Sequence, residues 1–334
     1  MYDINLFKRL STHSRLGEIE GIPVPISGGL LHKMYSLETT KGKYAIKILN
    51  PQIMKRPEAM TNYINSERIA NFVSQNLPVI PAKEIQGSFI QKIDAQFYLV
   101  YDWVEGETLN FNTITVRHNE EIGSLLAEIH GTDFSELRIK EETDNNDQSI
   151  EWQYFIEKGQ QAGAAWVDSL AEIVDELSEW GSLANRAKRM LSTNRVISHR
   201  DLDPKNVLWN DQNPILIDWE SAGYINPMHD LIETALYWSE VEAGNVDKER
   251  FFSFINGYKT RYGEIQADWT TVLAIGFSGK LEWLEYNLKR SLWMECTDEE
   301  EQKMGTAQVI GTINEIKDYA EKTLVIADWL NDKE

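Results

Sequence analysis

Polar side chains that could carry out chemistry concentrate between residues 197 and 223. Asp201 is followed five positions later by Asn206, and a short apolar run further on ends at Asp218. Turn-forming residues at 210–214 predict a β-hairpin between the two apolar runs of this segment. Such a hairpin would bring the loop that carries Asp201 and Asn206 close to Asp218.

Three oxygen-bearing side chains in one place are typical of a magnesium site. Mg²⁺ prefers oxygen ligands and usually takes only one or two carboxylates, which leaves positions for phosphate oxygens. We therefore expect Asn206 and Asp218 to be the metal ligands. Asp201 would accept the proton of an attacking hydroxyl group and orient it toward a γ-phosphate. The competing interpretation is that these residues only form local turns, as Asp and Asn commonly do in loops.

The charge of the chain limits its partners. The 334 residues include 33 Lys and Arg against 53 Asp and Glu, which gives a formal net charge of -20. Nucleic acid and anionic membranes would be repelled by that field, so neither is expected as a partner. The acidity has two explanations: solubility, or an acidic cleft that attracts a cationic substrate.

Cysteine content and hydropathy favour a cytoplasmic protein. Cys296 is the only cysteine, which excludes an intramolecular disulfide and a cysteine-based zinc site. The amino-terminal residues do not resemble a signal peptide, and no run of about eighteen apolar residues is present.

The pattern of apolar residues changes near residue 106. Before it, short alternating runs predict strands at 22–26, 34–38, 44–49, 89–93 and 96–103, with one helix at 58–75. Beyond it, helical periodicity covers 120–130, 148–180, 182–192 and most of the chain from 230 onward. We predict an α+β protein with a small β-rich amino-terminal lobe, residues 1–105, and a large, mainly helical carboxyl-terminal lobe, residues 106–334. The second lobe would hold the loop that carries Asp201 and Asn206.

Two short strings resemble a known family. HRDLDPKN at 199–206 and LIDWE at 216–220 are similar to the catalytic loop and the metal loop of the aminoglycoside phosphotransferase and choline kinase-like family. More remotely they resemble protein kinases. The resemblance implies a bilobal protein-kinase-like fold, ATP and Mg²⁺ as cofactors, and phosphorylation or nucleotidylation of a hydroxyl group on a small molecule. It also implies that the carboxyl-terminal lobe holds the catalytic loop and an acceptor pocket.

The same resemblance assigns a lysine in the amino-terminal lobe. Lys47, in an otherwise apolar strand, matches the lysine that contacts the α- and β-phosphates. Glu67 lies on one helical line with Met60 and Ile64, so we expect it to face the sheet and pair with Lys47. Glu58 is an alternative partner for that lysine.

Nucleotide contacts are also implied by the family, at two further places. Ser27, Gly28 and Gly29 occupy the position of the phosphate-covering loop, although two adjacent glycines between strands are also typical of an ordinary turn. The hinge would read adenine through main-chain groups near Asp102 and Val104.

The chain departs from protein kinases after the metal loop. Only eleven residues separate Asp218 from Asp230, and no A-P-E string follows, so there is no room for a peptide platform. His199 is expected to hold the loop by hydrogen bonds rather than to react.

We therefore expect an ATP- and Mg²⁺-dependent phosphotransferase that acts on a small molecule. The sequence leaves the acceptor open among aminoglycoside-like compounds, aminosugars, choline and similar molecules. The alternative is a catalytically idle, kinase-like module that binds nucleotide and acts through a protein partner.

Overall fold

The computed structural model describes residues 4–26, 31–141 and 149–332, with only the backbone at 243. Their contacts divide them into two compact units. The first contains the described residues within Met1–Thr113, Gly131–Ile139 and Ile197–Gly223, and the second those within Ile114–His130, Lys140–Val196 and Tyr224–Glu334. The segment that carries the chemistry thus groups with the amino-terminal residues. The predicted boundary between 105 and 106 stays a prediction.

The first unit is built on a five-stranded antiparallel sheet in the order β1-β2-β3-β5-β4. Its strands lie where the alternating pattern predicts them, at Val24–Ile26 (β1), Lys33–Thr39 (β2), Gly42–Ile48 (β3), Gln91–Ile93 (β4) and Gln96–Asp102 (β5). Successive side chains of a strand point to opposite faces. Ile46 and Ile48 therefore face one side of the sheet with Val100, and Lys47 faces the other side with Leu99, its partner across the ladder.

Each face of this sheet is covered by its own cluster of buried side chains. Phe7 and Leu10 of helix α1, Ile4–His13, pack on the face of Ile46, and Tyr63 of helix α2, Ala59–Val73, packs on the face of Leu99. The side chain of Lys47 therefore leaves β3 on an apolar face that α2 covers. The charged head group needs a polar partner there.

Helix α2 confirms the helix predicted at 58–75 but corrects the face assigned to it. Its buried positions include Tyr63, Ser66, Glu67 and Ala70, whereas Ile64 is 40% exposed. Glu67 faces inward as predicted. The prediction that Ile64 shares the inward face with Glu67 is wrong, because that face of the helix contains Tyr63 instead.

The segment 197–223 forms the predicted hairpin. Strands β8, Val207–Asn210, and β9, Asn213–Leu216, pair with each other, and β8 also pairs with β6, Glu107–Thr108. The backbone of Leu216 also bonds to Pro78 and Ile80, with N···O distances of 2.7 and 3.2 Å. These bonds tie the hairpin into the first unit. Two more short strands are β7, Val196–Ser198, and β10, Gly223–Ile225.

The second unit is helical, and the predicted α+β class is confirmed. Its helices are α3 (Val116–His130), α4 (Trp152–Ala162), α5 (Val167–Glu172), α6 (Val174–Met190), α7 (Pro227–Ser239), α8 (Lys248–Tyr262), α9 (Trp269–Ile275), α10 (Phe277–Ser291) and α11 (Glu299–Asn331). The helical periodicity at 148–180 corresponds to more than one helix, because Gly163 ends α4 in a left-handed conformation with φ 65°. Residue 148 lies outside the described residues. Within 4–26, 31–141 and 149–332, no helix has the length and apolar character needed to cross a bilayer.

Helices α3 and α8 touch backbone to backbone through two glycines. A Cβ added to Gly123 would lie 2.1 Å from the carbonyl oxygen of Phe254, and one added to Gly257 would lie 2.0 Å from that of Glu120. Any side chain at either position would push the helices apart.

We predict that Gly123→Ala lowers the free energy of unfolding by about 1–3 kcal/mol or more, because the added methyl group meets backbone rather than a movable side chain. Urea denaturation followed by circular dichroism measures the change. Gly311→Ala is the matched control: apart from its chain neighbours and the backbone of its own helix, α11, nothing lies within 4 Å of the added Cβ, so alanine should stabilise the helix by about 0.5–1 kcal/mol. Equal effects at the two glycines would contradict the close contact.

Candidate active site

The loop that follows β7 is held by a fully buried histidine. The backbone N–H of Asp201 donates to Nδ1 of His199 at 3.3 Å, so the hydrogen of the neutral ring lies on Nε2. Nε2 then donates to the carbonyl oxygen of Ile217 at 2.9 Å. One ring thereby joins the loop to the residue before Asp218. The structural role predicted for His199 is confirmed.

Asn206 fixes the carboxylate of Asp201. Its Nδ2 donates to the main-chain oxygen of Asp201 at 2.8 Å and to Oδ2 of the same residue at 2.9 Å. Since both partners accept, the amide nitrogen is on this side and Oδ1 is on the other. In the described part of the chain no group donates to that Oδ1. The geometry presents one neutral oxygen ligand beside an oriented carboxylate.

The protonation of Asp201 is set by its partly buried position. Burial raises the pKa of this carboxyl group from 3.8 to about 6, against the opposing charge of Lys205 and with help from the carboxylates of Asp203 and Asp218. Nζ of Lys205 lies 3.4 Å from Oδ1 of Asp201. A carboxylate with a pKa near neutrality can take up a proton under working conditions, as a general base must.

Asp218 lies two residues after β9, next to Ile217, which bonds to the Asn206 backbone. The N–H of Ile217 donates to the carbonyl oxygen of Asn206 at 3.0 Å, which ties the two segments together. Asp218 itself has a φ of 59°, a left-handed conformation that costs a non-glycine residue about 1–2 kcal/mol. This backbone places its Oδ1 2.6 Å from Nζ of Lys47.

Lys47 is buried, with 4% of its surface exposed, and its ammonium group contacts two carboxylates. One is Asp218 and the other is Glu220. Burial disfavours the charged form, but these two carboxylates outweigh it and raise the pKa of Lys47 well above its ordinary value. The lysine therefore stays charged at any physiological pH.

Glu220 is a member of the site that the sequence analysis missed. Burial acts to raise its pKa, yet the charge of Lys47 and the hydrogen bond from His32 lower that pKa below the ordinary value. Its only signal in the sequence is position, two residues beyond Asp218 in the string at 216–220.

The predicted ion pair between Lys47 and Glu67 is wrong. Glu67 is buried, but its Oε1 accepts from the hydroxyl group of Tyr101 and its Oε2 from the backbone N–H of Ala82, each at 2.8 Å. Burial raises the pKa of Glu67, which weakens it as an anion. Both oxygens already have donors, and the carboxylates of 218 and 220 reach the ammonium group instead. Glu58, the alternative partner, is exposed at the start of α2.

The predicted nucleotide contacts outside this cluster stay predictions. Asp102 ends β5, and its carboxylate binds Nζ of Lys83 at 2.7 Å, while Val104 lies in the irregular segment that follows. Ser27, Gly28 and Gly29 lie outside the described residues.

The cluster fits a magnesium ion through the chemistry of its donors. Asn206 offers Oδ1, and Asp218 offers a second carboxylate oxygen besides the one that binds Lys47. Two protein ligands of this kind leave the remaining positions for phosphate oxygens and water. Among the residues described, no three His, Cys, Asp or Glu side chains form an all-protein metal cage.

Comparisons with known proteins point to one family and one fold. A family model described as the phosphotransferase enzyme family matches residues 23–269. The chain is similar to spectinomycin phosphotransferase APH(9)-Ia, solved in complex with ADP and spectinomycin, with 15% identity, a TM-score of 0.65, and coverage of 95% of this chain and 99% of that chain. A search of curated proteins gives no match.

Two further structures share the fold. The microcompartment-associated aminopropanol kinase has 14% identity and a TM-score of 0.63, covering 96% of this chain and 98% of that one. The ethanolamine kinase of Plasmodium vivax has 15% identity and a TM-score of 0.57, covering 88% and 82%. At such identities the likeness concerns the fold alone.

We predict that Lys47→Met lowers the free energy of unfolding by about 1–3 kcal/mol at pH 7, because two partly buried carboxylates lose their cation. The pKa of Glu220 is lowered in the folded state, so this stabilisation is present above its ordinary pKa of 4.5 and is lost as the pH falls. The difference from wild type should therefore shrink in acid. Denaturation curves at several pH values measure it, with the exposed Lys8→Met as control. A difference that grows in acid would contradict the pairing.

Proposed function

Because the chain belongs to the phosphotransferase enzyme family, we propose that it transfers the γ-phosphate of ATP to a hydroxyl group of a small molecule. The family confirms the resemblance drawn from residues 199–206 and 216–220. The observation that carries the proposal is the 2.6 Å contact between Lys47 and Asp218. It brings together the cation that would bind phosphate and the carboxylate that would bind the metal, although they lie 171 residues apart in the chain.

The transfer uses three groups of this chain. Asp201 accepts the proton of the acceptor hydroxyl group while the hydroxyl oxygen bonds to the γ-phosphorus. The bond between the γ-phosphorus and the β–γ bridging oxygen breaks, and that oxygen leaves with ADP. Asn206 keeps the accepting carboxylate in place through its Nδ2. Lys47 balances the negative charge on the phosphates. Mg²⁺, held by Asn206 and Asp218, would neutralise the phosphate oxygens when bound.

A cationic acceptor is the class that the charge of the chain favours. The net charge of -20 would concentrate amines near the protein. Two proteins with this fold are named for amino alcohols, aminopropanol and ethanolamine. We propose an amine-bearing alcohol or aminosugar as the acceptor.

The proposed function is tested with ATP, Mg²⁺ and a panel of aminoglycosides, choline, aminosugars and hydroxy amino acids. We expect acceptor-dependent release of ADP and a new phosphate ester, detected by ³¹P NMR. Glucosamine and N-acetylglucosamine form a matched pair, and the amine should have the lower KM if a cation is recognised. The idle module would be favoured instead if the protein binds nucleotide but phosphorylates no acceptor, and if it shows no ATP turnover that depends on Asp201.

We predict that Asp201→Asn lowers kcat by about 10²–10⁴-fold while Mg·AMP-PNP still binds, because only proton acceptance is lost. In the wild type, kcat/KM should fall as the pH drops through about 6, where Asp201 becomes protonated. The variant should lack that limb of the profile.

Asp211→Asn is the matched control for Asp201→Asn. Asp211 is exposed in the hairpin turn with a φ of 55°, a conformation that asparagine adopts readily. Its kcat should equal that of the wild type. A near-normal kcat for Asp201→Asn would refute the role of Asp201.

A further inference from the structure

Lys47 needs an anionic partner that remains when nucleotide is bound. In the proposed function Asp218 would share its charge with Mg²⁺ and Lys47 would share its charge with phosphate, which would weaken their 2.6 Å contact. A long, flexible ammonium side chain then has to be held in one orientation. Glu67 is not in this position: its oxygens accept hydrogen bonds from Tyr101 and Ala82, and the ammonium group of Lys47 contacts other carboxylates.

Glu220 is built to stay in place. Its Oε2 contacts Lys47 and lies 3.3 Å from Nε2 of His32 and 3.5 Å from the hydroxyl group of Tyr63. The backbone N–H of Asn50 donates to Nδ1 of His32 at 2.9 Å, so the ring of a neutral His32 carries its hydrogen on Nε2. That hydrogen points toward Oε2 of Glu220 and the hydroxyl group of Tyr63. His32 and Tyr63 are also hydrogen-bonded to each other.

These contacts come from three separate elements of the first unit. His32 precedes β2, Tyr63 lies on α2, and Glu220 lies in the short 3-10 helix Trp219–Ser221, whose N-cap is Asp218. One turn of chain thus presents two carboxylates to one ammonium group. The side chain of Asp218 is 38% exposed, and that of Glu220 is only 19% exposed.

We propose that Glu220, and not the helix carboxylate Glu67, is the positioning residue for Lys47, with His32 and Tyr63 holding its carboxylate. This inference rests on the proposed function, since it assigns Lys47 to the phosphates. Glu220 acts through Lys47 and does not touch the reacting atoms. It keeps the lysine charged and aimed while Asp218 is occupied by the metal.

The test is Glu220→Gln, which keeps the shape of the side chain and removes its charge. The Kd for Mg·AMP-PNP should rise about 10- to 100-fold, the range expected when a hydrogen bond to a charged group is lost. Tyr63→Phe should raise it less, about 3- to 10-fold, because a neutral hydroxyl group supports the carboxylate only indirectly. Glu58→Gln, an exposed change at the start of α2, is the control and should leave the Kd unchanged.

A double-mutant cycle separates positioning from other roles. In a Lys47→Met background, Glu220→Gln should have no further effect on the Kd. Additive losses in the cycle, together with a changed dependence on Mg²⁺ concentration, would make Glu220 a metal ligand and overturn the inference. A larger effect of Glu67→Gln than of Glu220→Gln would also overturn it.

The outcome distinguishes this inference from the proposed function. If the wild type binds Mg·AMP-PNP and Glu220→Gln binds it equally well, only the role of Glu220 fails. If the wild type binds no nucleotide, the proposed function fails as well. Should Glu220→Gln not fold, Glu220→Asp and Tyr63→Phe provide the comparison, and a normal Kd in both would overturn the inference.

Discussion

The first unit depends on one buried ammonium group. Strand β3 alternates strictly, so Lys47 must leave the sheet on the face that α2 covers, where an unpaired charge would be very costly. Only carboxylates brought to that face can offset the cost, and they come from Asp218 and Glu220. This dependence gives a physical reason why a segment so distant in sequence packs with the amino-terminal sheet. The segment 197–223 is structurally part of the unit whose lysine it neutralises.

Side-chain hydrogen bonds then hold a strained loop in a usable shape. Arg200 and Asp218 both have left-handed backbones, with φ of 64° and 59°, and each costs about 1–2 kcal/mol. His199 offsets part of that cost, because its two ring nitrogens join the loop of Asp201 to the strand end before Asp218. Backbone strain at two positions beside polar side chains is typical of sites where orientation matters more than local stability.

The sequence predicted the strands, the hairpin and the motif residues because each depends on local spacing. It failed where the answer depends on a partner. Helical periodicity correctly predicted that Glu67 faces inward, but it cannot identify the hydrogen-bond donor on that side. Tyr101 and Ala82 donate to Glu67, and Lys47 does not. Glu220 carried no distinguishing signal beyond its position, since its role arises only when His32 and Tyr63 come together in the fold. The helical periodicity at 148–180 did not show where α4 ends, because that end is set by a left-handed glycine, Gly163.

Three carboxyl groups of the first unit differ in the direction or cause of their pKa shifts because their surroundings differ. Burial with weak compensation raises the pKa of Asp201 to about 6, so this group can exchange a proton near neutrality. Burial is overcome at Glu220 by Lys47 and His32, which makes it a permanent anion. Burial dominates at Glu67, which serves as a hydrogen-bond acceptor for the sheet and the chain before it. Surroundings that separate the pKa values of nearby titratable groups in this way allow each group to have a different role in a site. In the proposed function, proton acceptance, charge positioning and structural support therefore fall to different carboxyl groups, and Asp218 would offer its second oxygen to the metal.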